Sequence, residues 1–295
     1  MRFGVDVGGT TVKIGVVDDY KIIDRYSIKT TKDTLFDDIC ISIKKYIDEH
    51  SLEDIEGIGF GIPGNVINNF IYDMPNVGLK NIDLVKVIGK YFPNVKIASN
   101  NDANCAALGE TIGDNNYKSS YMITLGTGVG GGYVLDGRVI DGSHGACGEV
   151  GHFYVDPIHE YQCSCGLVGC LETVASATGV VRLAKEYYSK YKTKLDFDSM
   201  SCKDVFDRAK ENDELALFVV NLVSKYLAHG LATIAVTTDV DCFYIGGGVA
   251  DAGEFLLERV RANYKKYAHY AVKNIEIKHA RLGNLAGMLG AAYIL

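Results

Sequence analysis

The sequence predicts an α/β protein built as two lobes from a duplicated unit, and three observations predict it. Apolar residues alternate from Phe3 to Val7 and again at Val12, Ile14 and Val16, the period of strands, around the turn Gly8-Gly9-Thr10. The same strand, glycine turn, strand order returns 118 residues later. With Val7-Gly8 placed on Leu125-Gly126, Val16 meets Val134 and Asp18 meets Asp136 without a gap. Between and after these hairpins, short apolar strands alternate with helical stripes. Two unrelated hairpins are the simpler alternative. A duplication predicts two glycine turns facing each other across a cleft.

The elements follow in order. A third strand is expected at 21–28. Leu35, Ile39, Ile43 and Ile47 recur at helical spacing and predict a helix over 34–49. Strands are expected at 55–62 and 95–99, and a helix over 103–112. Gly113-Asp114-Asn115-Asn116 is a run of turn-formers and marks the boundary between lobes. The pattern then restarts with a strand at 120–125, the run Gly126 to Gly132 and a strand at 133–135. A loop rich in Gly, His and Cys runs to about 170. Helices are expected near 173–191, 202–211 and 214–236, a strand at 241–245 ending in Gly246-Gly247-Gly248, a helix near 253–268, a strand near 275–279 and a helix near 285–294.

Composition narrows the class. The chain has 295 residues, 47% apolar and 23% charged, enough for about two domains with sizeable cores. Lys+Arg number 30 against 37 for Asp+Glu, a net charge of −7 that matches poorly with a phosphate backbone, so no nucleic-acid partner is expected. The most apolar stretch, Leu231 to Ala250, carries Asp239 and Asp241, so no membrane partner is expected. The opening residues turn acidic at Asp6, too early for a signal peptide, and a cytoplasmic location is expected. The eight cysteines are then not read as disulfides.

Three sets of residues carry chemistry. Asp6-Val7-Gly8-Gly9-Thr10-Thr11-Val12-Lys13 offers unobstructed backbone N–H groups, two hydroxyls and a cation at one turn, a nest for phosphate oxygens. Asp6, at the strand end, is placed to order a hydrated magnesium ion. Alone this is equally a glycine hairpin with an outward lysine. With the turn at Gly126-Thr127-Gly128 and the run at Gly246-Gly247-Gly248, it predicts a nucleotide site. Asn100-Asn101-Asp102-Ala103-Asn104 joins a strand to a helix. Helix capping would account for it. The chemical reading makes Asp102 a general base for an attacking hydroxyl, with Asn101 holding a neighbouring one.

The third set is His152, Cys163, Cys165 and Cys170, one imidazole and three thiolates within a glycine-rich loop. These residue types make a closed, structural zinc set rather than a catalytic one. Buried or reactive thiols are the alternative. The metal would pin a long loop and place Glu149 and Glu172 on either side of it, either as two solvated surface acids or as two acceptors for sugar hydroxyls. Cys40, Cys105, Cys147, Cys202 and Cys242 fit no ligand spacing and are expected to be buried.

Asp6 to Lys13, Gly61-Ile62-Pro63-Gly64, Asn101 to Asn104, Gly126 to Gly132, Gly148 to His152 and Cys163 to Glu172 together resemble the ROK family of repressors and sugar kinases, over nearly the whole chain. The resemblance implies an α/β, two-lobed actin-like ATPase fold of the hexokinase and heat-shock-protein kind, with a zinc-braced loop. It implies an N-terminal lobe of 1–115 joined by 281–295, and a C-terminal lobe of 116–280 with the zinc loop at 148–172. By position it assigns ATP contacts to Asp6, Gly8, Gly9, Thr10, Thr11, Lys13, Gly126, Thr127, Gly128, Gly246, Gly247 and Gly248, and the base to Asp102. It assigns sugar contacts to Gly64, Asn76, Asn101, Asp102, Glu149, His152 and Glu172, and zinc to His152, Cys163, Cys165 and Cys170. A Trp common in the family after the Pro-Asn turn is absent, and Leu79 stands near its place.

The expected activity is that of an ATP- and magnesium-dependent hexose kinase acting on the sugar 6-hydroxyl, with glucose first. N-acetylmannosamine, N-acetylglucosamine, fructose or a β-glucoside are the alternatives, and a non-catalytic sugar sensor is the alternative of another class. With Asp6 so near the start, no DNA-binding helix-turn-helix is expected ahead of it. Homodimerisation is implied by the resemblance alone.

Overall fold

The computed structural model describes residues 1–114 and 116–295. Asn115, part of the expected boundary turn, lies outside the described residues. In order the elements are β1 (Arg2–Val7), β2 (Thr11–Asp18), β3 (Lys21–Lys29), α1 (Leu35–Glu49), β4 (Gly57–Ile62), β5 (Asn65–Ile67), β6 (Phe70–Met74), β7 (Leu79–Asp83), α2 (Leu84–Gly89), β8 (Lys96–Asn101) and α3 (Asp102–Asp114). They continue with β9 (Ser119–Leu125), β10 (Val129–Leu135), β11 (Arg138–Val139), α4 (Leu171–Ala175), α5 (Ala177–Glu186), α6 (Cys202–Lys210), α7 (Glu214–Thr238), β12 (Cys242–Gly246), α8 (Glu254–Tyr267), β13 (Glu276–His279) and α9 (Ala286–Tyr293).

Two five-stranded sheets have the orders β3-β2-β1-β4-β8 and β11-β10-β9-β12-β13. In the first, β1 pairs antiparallel with β2 and parallel with β4, and β4 pairs parallel with β8. In the second, β12 pairs parallel with both β9 and β13, and β10 antiparallel with β11. The strands thus occupy equivalent places in the two sheets, which is the duplication that the sequence repeat predicts.

The chain divides into two compact units. The first comprises Met1–Lys118, Gly132–Gly148 and Leu282–Leu295, and the second Ser119–Gly131 and Glu149–Arg281. Residues 132–148, which the sequence division puts with the C-terminal lobe, group with the first unit.

In the first unit, α1 buries Leu35, Phe36, Ile39, Cys40 and Ile43 against the sheet residues Phe3, Val5, Ile14, Ile58 and Phe60. Each such side chain contributes about 1.5–3 kcal/mol on burial. The opposite face of the sheet receives α9 through backbone rather than side chains. A Cβ added at Gly4 would lie 1.8 Å from the Met288 carbonyl oxygen, and one at Gly59 1.7 Å from that of Ala291. On α3, a Cβ at Gly109 would lie 2.1 Å from the Ala286 oxygen. Small residues here let the last helix lie directly on β1, β4 and α3.

The short strands β5–β7, three to five residues each, form a separate three-stranded sheet that hydrophobic periodicity does not reveal. Its first hairpin turns at Asn68-Asn69, both at positive φ (51° and 63°), a turn for which Asn is one of the few tolerated side chains.

In the second unit, α7 runs 25 residues and buries Leu215, Val219, Val223, Leu227, Leu231 and Ile234 among others. By length and composition it could cross a membrane, but 67% of that stretch is buried inside the protein, the setting of a core helix. The single helix expected over 173–191 is broken. Ser176 takes an extended conformation and its side chain accepts from the Gly179 N–H, ending α4 and capping α5. A short 3₁₀ turn at Tyr188–Lys190 follows α5.

Candidate active site

In each unit the chemistry gathers just beyond the carboxyl ends of parallel strands, the usual ligand position in α/β sheets. In the first, strand register puts Asp6 of β1 opposite Gly61 of β4, and Gly61 opposite Asn100 of β8. Asp102 follows at the first position of α3. Its carboxylate accepts from the Ala103 N–H at 2.9 Å. Burial, with repulsion from Asp6, outweighs that hydrogen bond and pushes the carboxyl from 3.8 up to about 6. A base poised there is mostly ionised at neutral pH yet holds a proton better than an ordinary aspartate.

Asn101 does what capping predicts. Its Oδ1 accepts from the N–H groups of Ala103 (2.9 Å) and Asn104 (3.4 Å), while Nδ2 donates to the Gly64 carbonyl at 3.2 Å. Gly64 itself is obligatory, since a Cβ would lie 2.1 Å from the Asp73 oxygen. Asp141, which sequence reasoning missed, accepts from Asn100 at 2.9 Å and from Asn104 at 3.0 Å. Both residues that flank the Asn101-Asp102 pair in this network are thereby tied to the 132–148 segment.

In the β1–β2 turn, Gly9, Thr10 and Thr11 are exposed and Gly8 is half-buried. Asn76 is exposed beside Gly9, its carbonyl 3.5 Å from where a Gly9 Cβ would stand. Lys13 points back to its own unit, donating to Asn284 Oδ1 at 3.0 Å and standing 3.7 Å from Asp6. Burial raises the Asp6 pKa, and Lys13 partly offsets this. Leu79 is half-buried against the core of this unit.

In the second unit a cavity of about 700 Å³ is lined by Gly126, Thr127, Ala177, Phe206, Gly248, Val249 and the polar residues of α6, among others. That volume suits a nucleoside-sized ligand. A Cβ at Gly126 or Gly248 would meet open space. Gly247 serves the turn instead. Its φ is +86° and a Cβ would lie 2.5 Å from the Leu125 oxygen. Gly246 ends β12 against Met122 and Ala280 and does not line the cavity. Ser201, Cys202, Lys203, Phe206, Asp207 and Lys210 line it without having been singled out for that role. The signal available was Ser201 with Asp204, the capping box that starts α6. Cys202 is therefore half-exposed rather than a buried filler, as is Cys147, whereas Cys40, Cys105 and Cys242 are buried.

His152, Cys163, Cys165 and Cys170 bring their donor atoms within 4.8 Å of one another. Cys165 and Cys170 sulfurs are 3.8 Å apart, and Cys163 Sγ is 3.6 Å from His152 Nδ1. Tetrahedral zinc, with bonds of about 2.3 Å to sulfur and 2.0–2.1 Å to nitrogen, requires edges of about 3.8 and 3.5 Å. The donor set fits a structural zinc ion. His152 Nε2 is left on the far side, 3.6 Å from Glu149.

Glu172 is more committed than its sequence position implies. Its Oε2 accepts from the Val129 N–H at 3.0 Å, in the space that a Gly128 side chain would fill. Its Oε1 takes Ser164 Oγ at 3.4 Å and Cys163 Sγ at 3.7 Å. It joins the cysteine loop to the second glycine turn.

Comparison with known proteins decides the family. The ROK family profile matches residues 2–295. The chain belongs to the ROK family. It is 38% identical to a glucokinase of Halalkalibacterium halodurans, with 99% of this chain and 94% of that relative aligned. Among solved structures it is similar to a ROK hexokinase from Thermus thermophilus (TM-score 0.87, 29% identity, 99% and 96% of the two chains). It is also similar to a ROK family glucokinase from Streptomyces griseus in complex with glucose and AMPPNP (TM-score 0.75, 28% identity, 99% and 97%). The fold is the α/β actin-like ATPase fold of these ROK structures.

Proposed function

We infer that this ROK protein is an ATP-dependent hexose kinase, with glucose as its sugar. Asp102 carries the chemistry of this reading: a carboxyl lifted to about 6, at the strand ends of a ROK fold. Asp102 accepts the proton of the sugar 6-hydroxyl as that oxygen bonds to the γ-phosphorus and the bond to ADP breaks. Asp6 would hold the magnesium ion that accompanies ATP, and that ion would supply charge compensation on the phosphates.

The first unit offers Gly8, Gly9, Thr10, Thr11 and Lys13 to the phosphates, and Gly64, Asn76, Asn101 and Asp102 to the sugar. The second offers Gly126, Thr127, Gly128 and the Gly246–Gly248 run to the nucleotide, and Glu149, His152 and Glu172 to the sugar. Within that set, the cavity favours Gly126, Thr127 and Gly248 as ligand contacts and gives Gly128, Gly246 and Gly247 backbone roles. Zinc bound to His152, Cys163, Cys165 and Cys170 would supply a structural brace that fixes the loop and the His152 ring. His152 then keeps Nε2 for a sugar hydroxyl. Cytoplasmic location, a homodimer and the absence of nucleic-acid and membrane partners belong to the same proposal; the thiolate ligand set supports a reducing compartment.

The deciding experiment is ADP release over a panel of glucose, N-acetylmannosamine, N-acetylglucosamine, fructose and a β-glucoside. The highest kcat/KM is expected with glucose. A different preferred sugar replaces glucose but keeps the kinase, whereas no sugar-dependent ADP release would reject catalysis and leave a sensor.

A further inference from the structure

The loop that carries the cysteine set has a second attachment that the reaction does not use. Asp156 and His159 lie between His152 and Cys163, and their side chains are 0% and 6% exposed. Asp156 Oδ1 accepts from Tyr226 OH at 2.7 Å and from the N–H groups of Ile158 and His159 at 3.2 Å each. His159 Nδ1 stands 2.9 Å from Oδ2 and 3.0 Å from Oδ1 of the same carboxylate, and Nε2 is 2.8 Å from Tyr187 OH. One proton arrangement satisfies every member: Tyr187 O–H donates to Nε2, and Nδ1–H donates to Asp156. The His159 ring stacks on Tyr161, with centroids 5.1 Å apart, and the Arg182 guanidinium lies over the Tyr161 ring. Three separate pieces of chain therefore converge on this point: the loop, α5 with the Tyr187 that follows it, and α7.

A fully buried carboxylate is costly unless donors compensate it, and here four converge on it: Tyr226 O–H, the N–H groups of Ile158 and His159, and His159 Nδ1–H. Its position shows what the arrangement holds. The N–H groups of Val155 and Asp156 both donate to the Gly169 carbonyl, at 2.9 and 3.2 Å, and the Gly169 N–H donates to the Tyr161 carbonyl at 3.0 Å. Gly169 precedes Cys170, and Tyr161 stands two residues before Cys163. The anchor thus clamps the chain on both sides of Cys163 and Cys165 without using a ligand.

We propose that Asp156, His159 and Tyr226 form a metal-independent anchor that pre-positions Cys163 and Cys170 for zinc. They are positioning residues, and the proposal rests on the zinc reading rather than on the identity of the sugar. Without such an anchor, the ten residues between His152 and Cys163 would have to be ordered by the metal alone, and that entropy would be subtracted from zinc affinity.

The test compares full-length wild type with His159→Leu, His159→Asn and Tyr226→Phe. Zinc per chain is measured first, then zinc affinity by competition with a chromophoric chelator. His159→Leu should weaken zinc binding by at least ~10-fold, the low end for supporting partners of metal sites. His159→Asn keeps an N–H where Nδ1–H was and should restore most of that loss. Tyr226→Phe, which removes a single hydroxyl and is the mildest change, should weaken binding in the same direction. Zinc affinity equal to wild type in both His159→Leu and Tyr226→Phe overturns the proposal. Hydrogen exchange on chelated wild type supplies the second arm. Slow exchange kept at the Val155 and Asp156 amides supports an anchor that stands without metal, and its loss on chelation refutes one. A wild type that carries no zinc rejects the zinc reading, and the exchange arm then still decides whether the anchor exists.

Discussion

Replacing Asp102 by Asn tests both the base and its environment. Holding a carboxyl at about 6 instead of 3.8 costs about 3 kcal/mol of folding free energy once the group is ionised. The sign follows from proton counting. Between pH 4 and 6 the folded protein binds more protons at this site than the unfolded chain does, so the contribution falls as pH rises. It is zero well below 4 and is a full penalty above 6. The Asn variant has no charge to bury. Its stability advantage over wild type should be near zero at pH 3, grow between 4 and 6, and level off at about 3 kcal/mol by pH 7. Urea titrations of both proteins at four pH values measure it. In parallel, kcat should drop by at least ~100-fold with the sugar KM little changed, because an amide can hold a hydroxyl but not take its proton. Wild-type kcat/KM should rise with pH to a plateau above about 6. A stability difference independent of pH would show that Asp102 is an ordinary carboxylate, and near-normal turnover in the variant would remove it from the chemistry.

Other changes probe the second unit and the core. Gly248→Val fills open space in the cavity and should raise the ATP KM at least ~10-fold while the sugar KM stays within about twofold; an equal rise in both would argue against a nucleotide site there. Glu172→Ala leaves the Val129 N–H without its acceptor and should raise the KM of both substrates, whereas a purely sugar-binding Glu172 would leave ATP unaffected. Metal analysis should find zinc in the purified protein, and Cys165→Ala should lose it together with sugar affinity while leaving the β1–β4 core folded by circular dichroism. Gly290→Val drives a side chain into the Cys105 carbonyl, where a Cβ would lie only 1.7 Å away, and should destabilise the protein by about 3 kcal/mol or more in the same urea assay.

The hairpins around Gly8 and Gly126 were legible in the sequence because side-chain alternation and glycine turns are short-range properties of the chain. The cysteine set was legible for the same reason: ligands close in sequence, within a loop of small residues, have few other ways to be used. The β5–β7 sheet escaped because its strands are only three to five residues long, too short for alternation to stand out, although Asn68-Asn69 marked its first turn. Packing supplied the rest. Phe206 and Lys203 reach the cavity beside Gly126 only because α6 folds there, and Asp141 reaches Asn100 and Asn104 across some forty residues of chain. Glu172 turns to Val129 rather than standing open. The pKa of Asp102 comes from burial and from Asp6, nearly a hundred residues away in the chain. Spacing along a chain encodes turns, strands and compact ligand sets. Burial and charge proximity arise only when distant segments pack, and these are what set an acid's proton affinity and shape a cavity.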